Sequence, residues 1–171
     1  HTRFKCDWSS DVCSSDLVAE FTGEVEVDGF NRLVLTAGLS VRSASVLRAY
    51  GRYLRQIGFP FSQHYVEQTL ARHSSIAAEI VGCFEAQFDP DLPGDREALV
   101  AARRQAVLDA LDGVPGLDDD RTLRALLALV DATVRTNAFR TGDDGAPHRA
   151  VLAFKFDASK VPDLPPPRPM F

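Results

Sequence analysis

Between Asp28 and Val134 large apolar residues return at three- and four-residue spacing in one segment after another, and turn-forming residues separate the segments. That spacing places apolar side chains on one stripe of a helix, and striped helices are stable only when they bury those stripes against each other. A short first element has Asp28 as N-cap, Phe30, Leu33 and Val34 on one face, and Gly38 as its stop. Ser40 caps a longer helix carrying Val46, Leu47, Tyr50, Tyr53, Leu54 and Ile57, closed by Gly58 before Pro60. Ser62 caps a third with Tyr65, Val66, Thr69 and Leu70 inward, and Ile76, Ile80, Val81, Phe84 and Phe88 define a fourth that Asp89-Pro90 breaks. Asp95 starts a helix to about Leu111 whose core side is thin, with Leu99, Val107, Leu108 and Leu111 among alanines. After Gly113-Val-Pro-Gly116, Asp118, Asp119 and Asp120 put negative charge at the positive end of a helix with Leu123, Leu126, Leu127, Val130 and Val134 as its stripe.

The pattern then changes. Beyond the turn-rich Thr141-Gly-Asp-Asp-Gly145, the β-prone run Val151 to Phe156 reads as one strand, and Val161 to Pro169 reads as an extended, polyproline-like linker. The expected fold is mainly α: a bundle of about five to six helices over residues 18–140, then residues 141–171 as loop, single C-terminal strand and Pro-rich tail. A single strand has nothing to pair with, so it is expected to join a sheet supplied by a further part of the same chain.

Residues 1–17 stand apart, with neither helical nor strand periodicity. Asp7-Trp-Ser-Ser-Asp-Val-Cys-Ser-Ser-Asp16 resembles a sequencing-library adapter translated in one frame, and the segment is set aside as one sets aside a tag. Cys6 and Cys13 go with it. Cys83 then remains alone among Ile80, Val81 and Phe84, which excludes an intramolecular disulfide and favours a buried, inert thiol.

Hydrophobic residues at 45% and charged residues at 25% describe a globular chain, and no apolar run approaches the roughly 20 residues of a membrane span. A net charge of −5 argues against a nucleic-acid partner. No Gly-rich phosphate loop follows a strand, so a dinucleotide fingerprint and a P-loop are both missing. His64, His73 and His148 are scattered and receive no role, and no His or Cys pair has metal-ligand spacing. Arg48, Arg52 and Arg55, with Arg42 before them, form a row on the second helix that reads as its solvated side. Lys155 lies between Phe154 and Phe156 and is read as facing solvent or a neighbouring strand rather than as a catalytic lysine.

Several stretches, taken in order, resemble the large bacterial type of NAD-specific glutamate dehydrogenase. They include Asp28-Gly-Phe-Asn-Arg-Leu-Val-Leu35, Leu47-Arg-Ala-Tyr50, Tyr53-Leu-Arg-Gln56, Phe61-Ser-Gln63, Phe88-Asp-Pro90, Arg135-Thr-Asn137, Phe154-Lys-Phe-Asp157 and Pro167-Arg-Pro-Met-Phe171. The resemblance implies a fragment of the helical region just before the catalytic domain. The parent would be a cytoplasmic, homo-oligomeric oxidoreductase that turns glutamate, NAD and water into 2-oxoglutarate, ammonia and NADH. It also implies that the catalytic lysines and the NAD fold lie beyond Phe171, so that no catalytic, cofactor or metal residue falls on this chain. The alternative is a free-standing all-α interaction or regulatory module, with the Arg48 to Arg55 face as a nucleic-acid reader. In either case residues 1–17 are expected to be dispensable: a chain beginning at Val18 should melt at the same temperature, and a clear fall would show that the segment is structural.

Overall fold

The structure is a computed structural model that describes residues 28–140 and 151–167. The adapter-like segment, the turn at 141–145, His148 and the last four residues lie outside the described residues. Six helices follow a 3-10 turn at Gly29–Asn31: α1 (Arg32–Thr36), α2 (Val41–Gln56), α3 (Gln63–Arg72), α4 (Ser74–Phe88), α5 (Arg96–Leu111) and α6 (Leu117–Ala132). An antiparallel pair, β1 (Thr133–Thr136) and β2 (Phe154–Phe156), completes the described fold. The mainly α architecture matches the periodicity.

The helix boundaries are set by the polar residues expected to set them. Asp28 accepts the Phe30 amide at 3.0 Å, Ser40 that of Ser43 at 3.0 Å, and Ser62 that of Tyr65 at 3.2 Å. Asp95 caps α5 through the amides of Glu97 and Ala98. These bonds satisfy amides that the first turn leaves without helical partners. At the end of α2, Gly58 takes φ +85°, which lets its amide reach the Arg55 carbonyl at 3.2 Å and the Phe59 amide reach that of Leu54 at 3.0 Å. Gly51, in the middle of α2, is explained by packing: a Cβ there would stand 3.0 Å from the tip of the Phe30 ring.

The apolar stripes converge on α4, which buries Ile76, Ala77, Ile80, Val81, Cys83, Phe84 and Ala86 and is therefore covered around most of its circumference. Helices α5 and α6 pack along it, and α2 and α3 close the core with Leu47, Tyr50, Leu54, Val66 and Leu70. Helix α5 is the outlying element; Val107 and Leu111 alone are fully buried on it.

The C-terminal strand is not alone, contrary to expectation. Helix α6 stops at Ala132 rather than continuing through Val134, because Thr133 turns to extended backbone (ψ 123°) while its hydroxyl donates to the Leu129 carbonyl at 2.7 Å. The β-branched run Thr133-Val134-Arg135-Thr136 then pairs with β2, with Thr133 opposite Phe156, Arg135 opposite Lys155 and Thr136 opposite Phe154. Val134 is the extra residue of a bulge, and it leaves Val134 and Arg135 outward while Thr133 stays buried. The strand is also shorter than the Val151 to Phe156 read from sequence. Nor is the whole Pro-rich tail a linker: Val161 is buried in the core and Leu164 packs against it.

Phe154 and Phe156 dock the sheet onto the helices. The Tyr50 ring lies 5.1 Å from that of Phe154, 5.9 Å from Phe156 and 6.1 Å from Phe84, and Tyr53 stacks on Phe156 at 4.5 Å. The Tyr50 hydroxyl meets the Thr133 hydroxyl at 2.8 Å. Since the Thr133 proton already goes to Leu129, Tyr50 is the donor. Replacing Tyr50 with Phe keeps the ring and removes this one bond, and should lower unfolding stability by ~1 kcal/mol in urea titrations. An unchanged midpoint would show that the bond contributes nothing net.

Candidate functional site

Charged side chains gather at three places in this fold. The first is Arg48, expected on a solvated row and found 5% exposed. Its guanidinium donates to both oxygens of Asp28, at 2.6 and 3.0 Å, to Asn31 Oδ1 at 2.7 Å and to Ser45 Oγ at 3.0 Å. The reason is that the 3-10 turn lies over this side of α2, so the row splits: Arg48 is an internal strut and Arg52 and Arg55 remain exposed. A desolvated guanidinium demands this full set of acceptors. Arg42 likewise turns away from the row and donates to the carbonyls of Ala138 and Asn137 just after β1.

The second is Asp119. Negative charge at a helix start explains Asp118 and Asp120, but Asp119 also ties α6 to α3. It accepts from Tyr65 Oη at 2.8 Å, Thr69 Oγ1 at 3.0 Å, Arg72 at 2.6 and 3.2 Å, and faces His73 Nε2 at 3.0 Å. The Arg72 bonds first, then those of Tyr65, His73 and Thr69, hold its carboxyl well below the usual carboxylate range. His73 thus sits beside a structural carboxylate, while His64 is exposed.

The third is the outer side of the sheet. A hollow of ≈ 320 Å³ lies there, lined by Arg135, Asn137, Arg140, Phe154 and Lys155, with no carboxylate among its described lining residues. Asn137 fixes its floor: the amide nitrogen donates to the Val151 carbonyl at 2.8 Å and the amide oxygen accepts the Ala153 amide at 2.8 Å. Lys155 is exposed and faces away from the aromatic cluster, as the Phe-Lys-Phe alternation implies. Arg135 and Arg140 carried no signal of their own, because only strand pairing across the intervening loop brings them to Lys155.

The reactive candidates elsewhere are inert. Cys83 is 2% exposed, and burial pushes its thiol up to about 11, so it stays protonated. Burial raises the Tyr50 phenol well above its ordinary value, which leaves it a neutral donor. Among the described residues, no group of three His, Cys, Asp or Glu is placed to hold a metal ion, and no helix is long and apolar enough to cross a membrane. The one described sheet is an antiparallel pair, not the parallel strand-turn-helix unit that cradles a dinucleotide pyrophosphate.

Comparison with known proteins places this helical unit and its small sheet. Residues 25–90 match the family described as glutamate dehydrogenase, helical motif 3, and residues 106–171 match the bacterial NAD-glutamate dehydrogenase catalytic domain. The chain is 45% identical over 91% of its length to the NAD-specific glutamate dehydrogenase of Mycobacterium tuberculosis. It is 42% identical over 88% to that of Halomonas elongata and 38% identical over 95% to that of Pseudomonas aeruginosa. No solved structure matches. The chain belongs to the bacterial NAD-specific glutamate dehydrogenase family. It spans about a tenth of the length of these relatives, covering 10%, 9% and 10% of them.

The depressed Asp119 carboxyl gives a signed pH dependence. A carboxyl whose folded pKa lies below its unfolded value, about 3.9, contributes stability that is present above that value and lost as pH falls through the folded one. Asp119→Asn should therefore melt lower than the parent at neutral pH, with the gap closing below about pH 4. A gap independent of pH would show that the carboxylate charge is not what ties α3 to α6.

Proposed function

We propose that this chain is the part of an NAD-dependent glutamate dehydrogenase in which the helical region hands over to the catalytic domain. The parent oxidatively deaminates glutamate to 2-oxoglutarate and ammonia and reduces NAD; it is a cytoplasmic homo-oligomer without a nucleic-acid partner. Residues 28–140 act as one stiff helical unit, the segment from residue 141 leads into the catalytic part, and that part of the same chain is the partner of the sheet. The catalytic groups and the NAD site are supplied from outside these residues.

One observation carries this reading. The two matched segments, 25–90 and 106–171, do not fold apart: α4 from the first packs along α6 from the second, and Tyr50 of the first is bonded to Thr133 of the second. A segment that shares its core with the start of a catalytic domain positions that domain rigidly, and supports a scaffold role better than that of a tethered module.

Glutamate and NAD added to the 171-residue chain should give no NADH absorbance and no NAD-dependent change in protein fluorescence, whereas the full-length parent should form NADH. NADH formed by this chain alone would place catalytic groups within it. A full-length parent inactive with glutamate would overturn the dehydrogenase reading.

A further inference from the structure

Helix α5 is held on the bundle unevenly along its length. Val107 and Leu111, both in its last turns, are fully buried, whereas every residue from Pro90 to Ala98 and again from Ala101 to Ala106 is exposed. This first half reaches the neighbouring helices through three arginines. Arg96 donates to the carbonyls of Ala86, Gln87 and Asp89 at the end of α4, Arg103 pairs with Glu79 of α4 at 3.0 Å, and Arg104 pairs with Asp131 of α6 at 3.0 Å. Both ion pairs are partly exposed, and pairs of that kind contribute little and are screened by salt. Beneath them lies Cys83, 2% exposed. Arg103 crosses α4 at the adjoining Gly82, where a Cβ would stand 3.5 Å from Arg103 Cδ. The charges that act on the Cys83 thiol, after burial itself, are those of Asp131, Glu79, Arg103 and Arg104, which are the four members of the two ion pairs. These neighbours place the thiol under the seam of α5 with α4 and α6.

We propose that the first half of α5 is a hinged cover over Cys83: residues 96–104 lift from α4 and α6 while Val107 and Leu111 stay seated, and the thiol meets solvent in that open state. The exposed connection 89–95, with Gly94 at φ +106°, supplies slack at the moving end. Few side chains of this half are buried, so lifting it uncovers little apolar surface and is cheap beside global unfolding. The Tyr50–Thr133 bond and the stripes of α2 and α3 are untouched. In the closed fold Cys83 is inert because burial keeps its thiol protonated; exposure removes that cause, and the thiolate becomes a nucleophile. With an alkylating electrophile an S–C bond forms, the leaving group departs with its bonding pair, and the thiol proton goes to solvent. The added group then fills the seat, so the cover no longer closes. The device makes a silent thiol responsive to ionic strength and to electrophiles at residues 91–105, the stretch that separates the two matched segments. It operates whichever reaction the parent catalyses.

Iodoacetamide, an uncharged alkylating probe, tests this on the 171-residue chain carrying Cys6→Ser and Cys13→Ser, in which Cys83 is the remaining thiol. At fixed pH, labelling should rise in proportion to probe concentration and quicken about threefold or more between about 0.05 and about 1 M NaCl, as the ion pairs are screened. Arg103→Gln/Arg104→Gln should label about threefold faster at low salt and lose most of the salt response. Urea separates the routes to the thiol. A lifting helix exposes little surface, so about 1 M urea should change the rate by less than about threefold; a larger rise is the mark of global unfolding and would overturn the proposal. No labelling of the folded chain, or a rate indifferent to both salt and the double variant, would overturn it equally. Should the double variant fold poorly, hydrogen exchange in the unsubstituted chain decides: amides of 100–106 should open at a lower free energy than those of α4 and α6, and more readily at high salt. Opening of those amides together with α6 would show that α5 is no separate cover.

Discussion

The Tyr50 phenol is fully buried, and a hydroxyl taken out of water without a partner costs several kcal/mol in an apolar surrounding. Thr133 supplies that partner at the residue where α6 becomes β1. From this bond the rest of the C-terminal architecture follows. Thr133 holds its own hydroxyl proton on Leu129, and Gln87 of α4 donates to its carbonyl at 3.2 Å, so the chain leaves the helix in one direction. Phe154 and Phe156 then close over the Tyr50 ring, and Lys155 between them is turned to the far side of the sheet. The inner face anchors the sheet, and the outer face collects the charge.

The two polar struts work at other edges of the same core. Arg48 with Asp28 and Asn31 fastens the N-terminal turn onto α2, and Asp119 with Tyr65, Thr69 and Arg72 fastens α3 to α6. The buried Arg48–Asp28 pair contributes modestly to net stability, because desolvation offsets most of the attraction, and removing one partner is what costs heavily; Arg72 is half-exposed, so solvent screens its pairing with Asp119. Their effect here is geometric. Each fixes how one helix lies on another where apolar packing alone would allow sliding, and both leave α4 free to form the apolar centre.

Local signals in the sequence were reliable where the physics is local. Asp28, Ser40, Ser62 and Asp95 cap because each needs only an amide two or three residues away, and Gly58 closes α2 through bonds within five residues. Strand β1 was hidden because Val130 and Val134 continue a helical spacing, and what ends the helix is a contact with Tyr50, 83 residues earlier. Arg48 was misread for a related reason: its helix face is polar, yet the turn that covers it comes from outside the helix. The hollow was the least legible feature, since Arg135 and Lys155 become neighbours only through a pairing that the sequence did not reveal. With the strand paired inside the chain, a dangling strand no longer argues for a missing domain, and family membership rests on the matched relatives.

The central claim is that the helical-motif segment and the start of the catalytic segment are one cooperative unit joined at Tyr50 and Thr133. Native-state hydrogen exchange in rising denaturant measures this directly, because amides that open together converge on one free energy. The account requires the slowest amides of α2 and α4 to merge with those of α6 and β1 at a single opening energy. A separate, lower opening energy for α6 and β1, with α2 and α4 still protected, would contradict it.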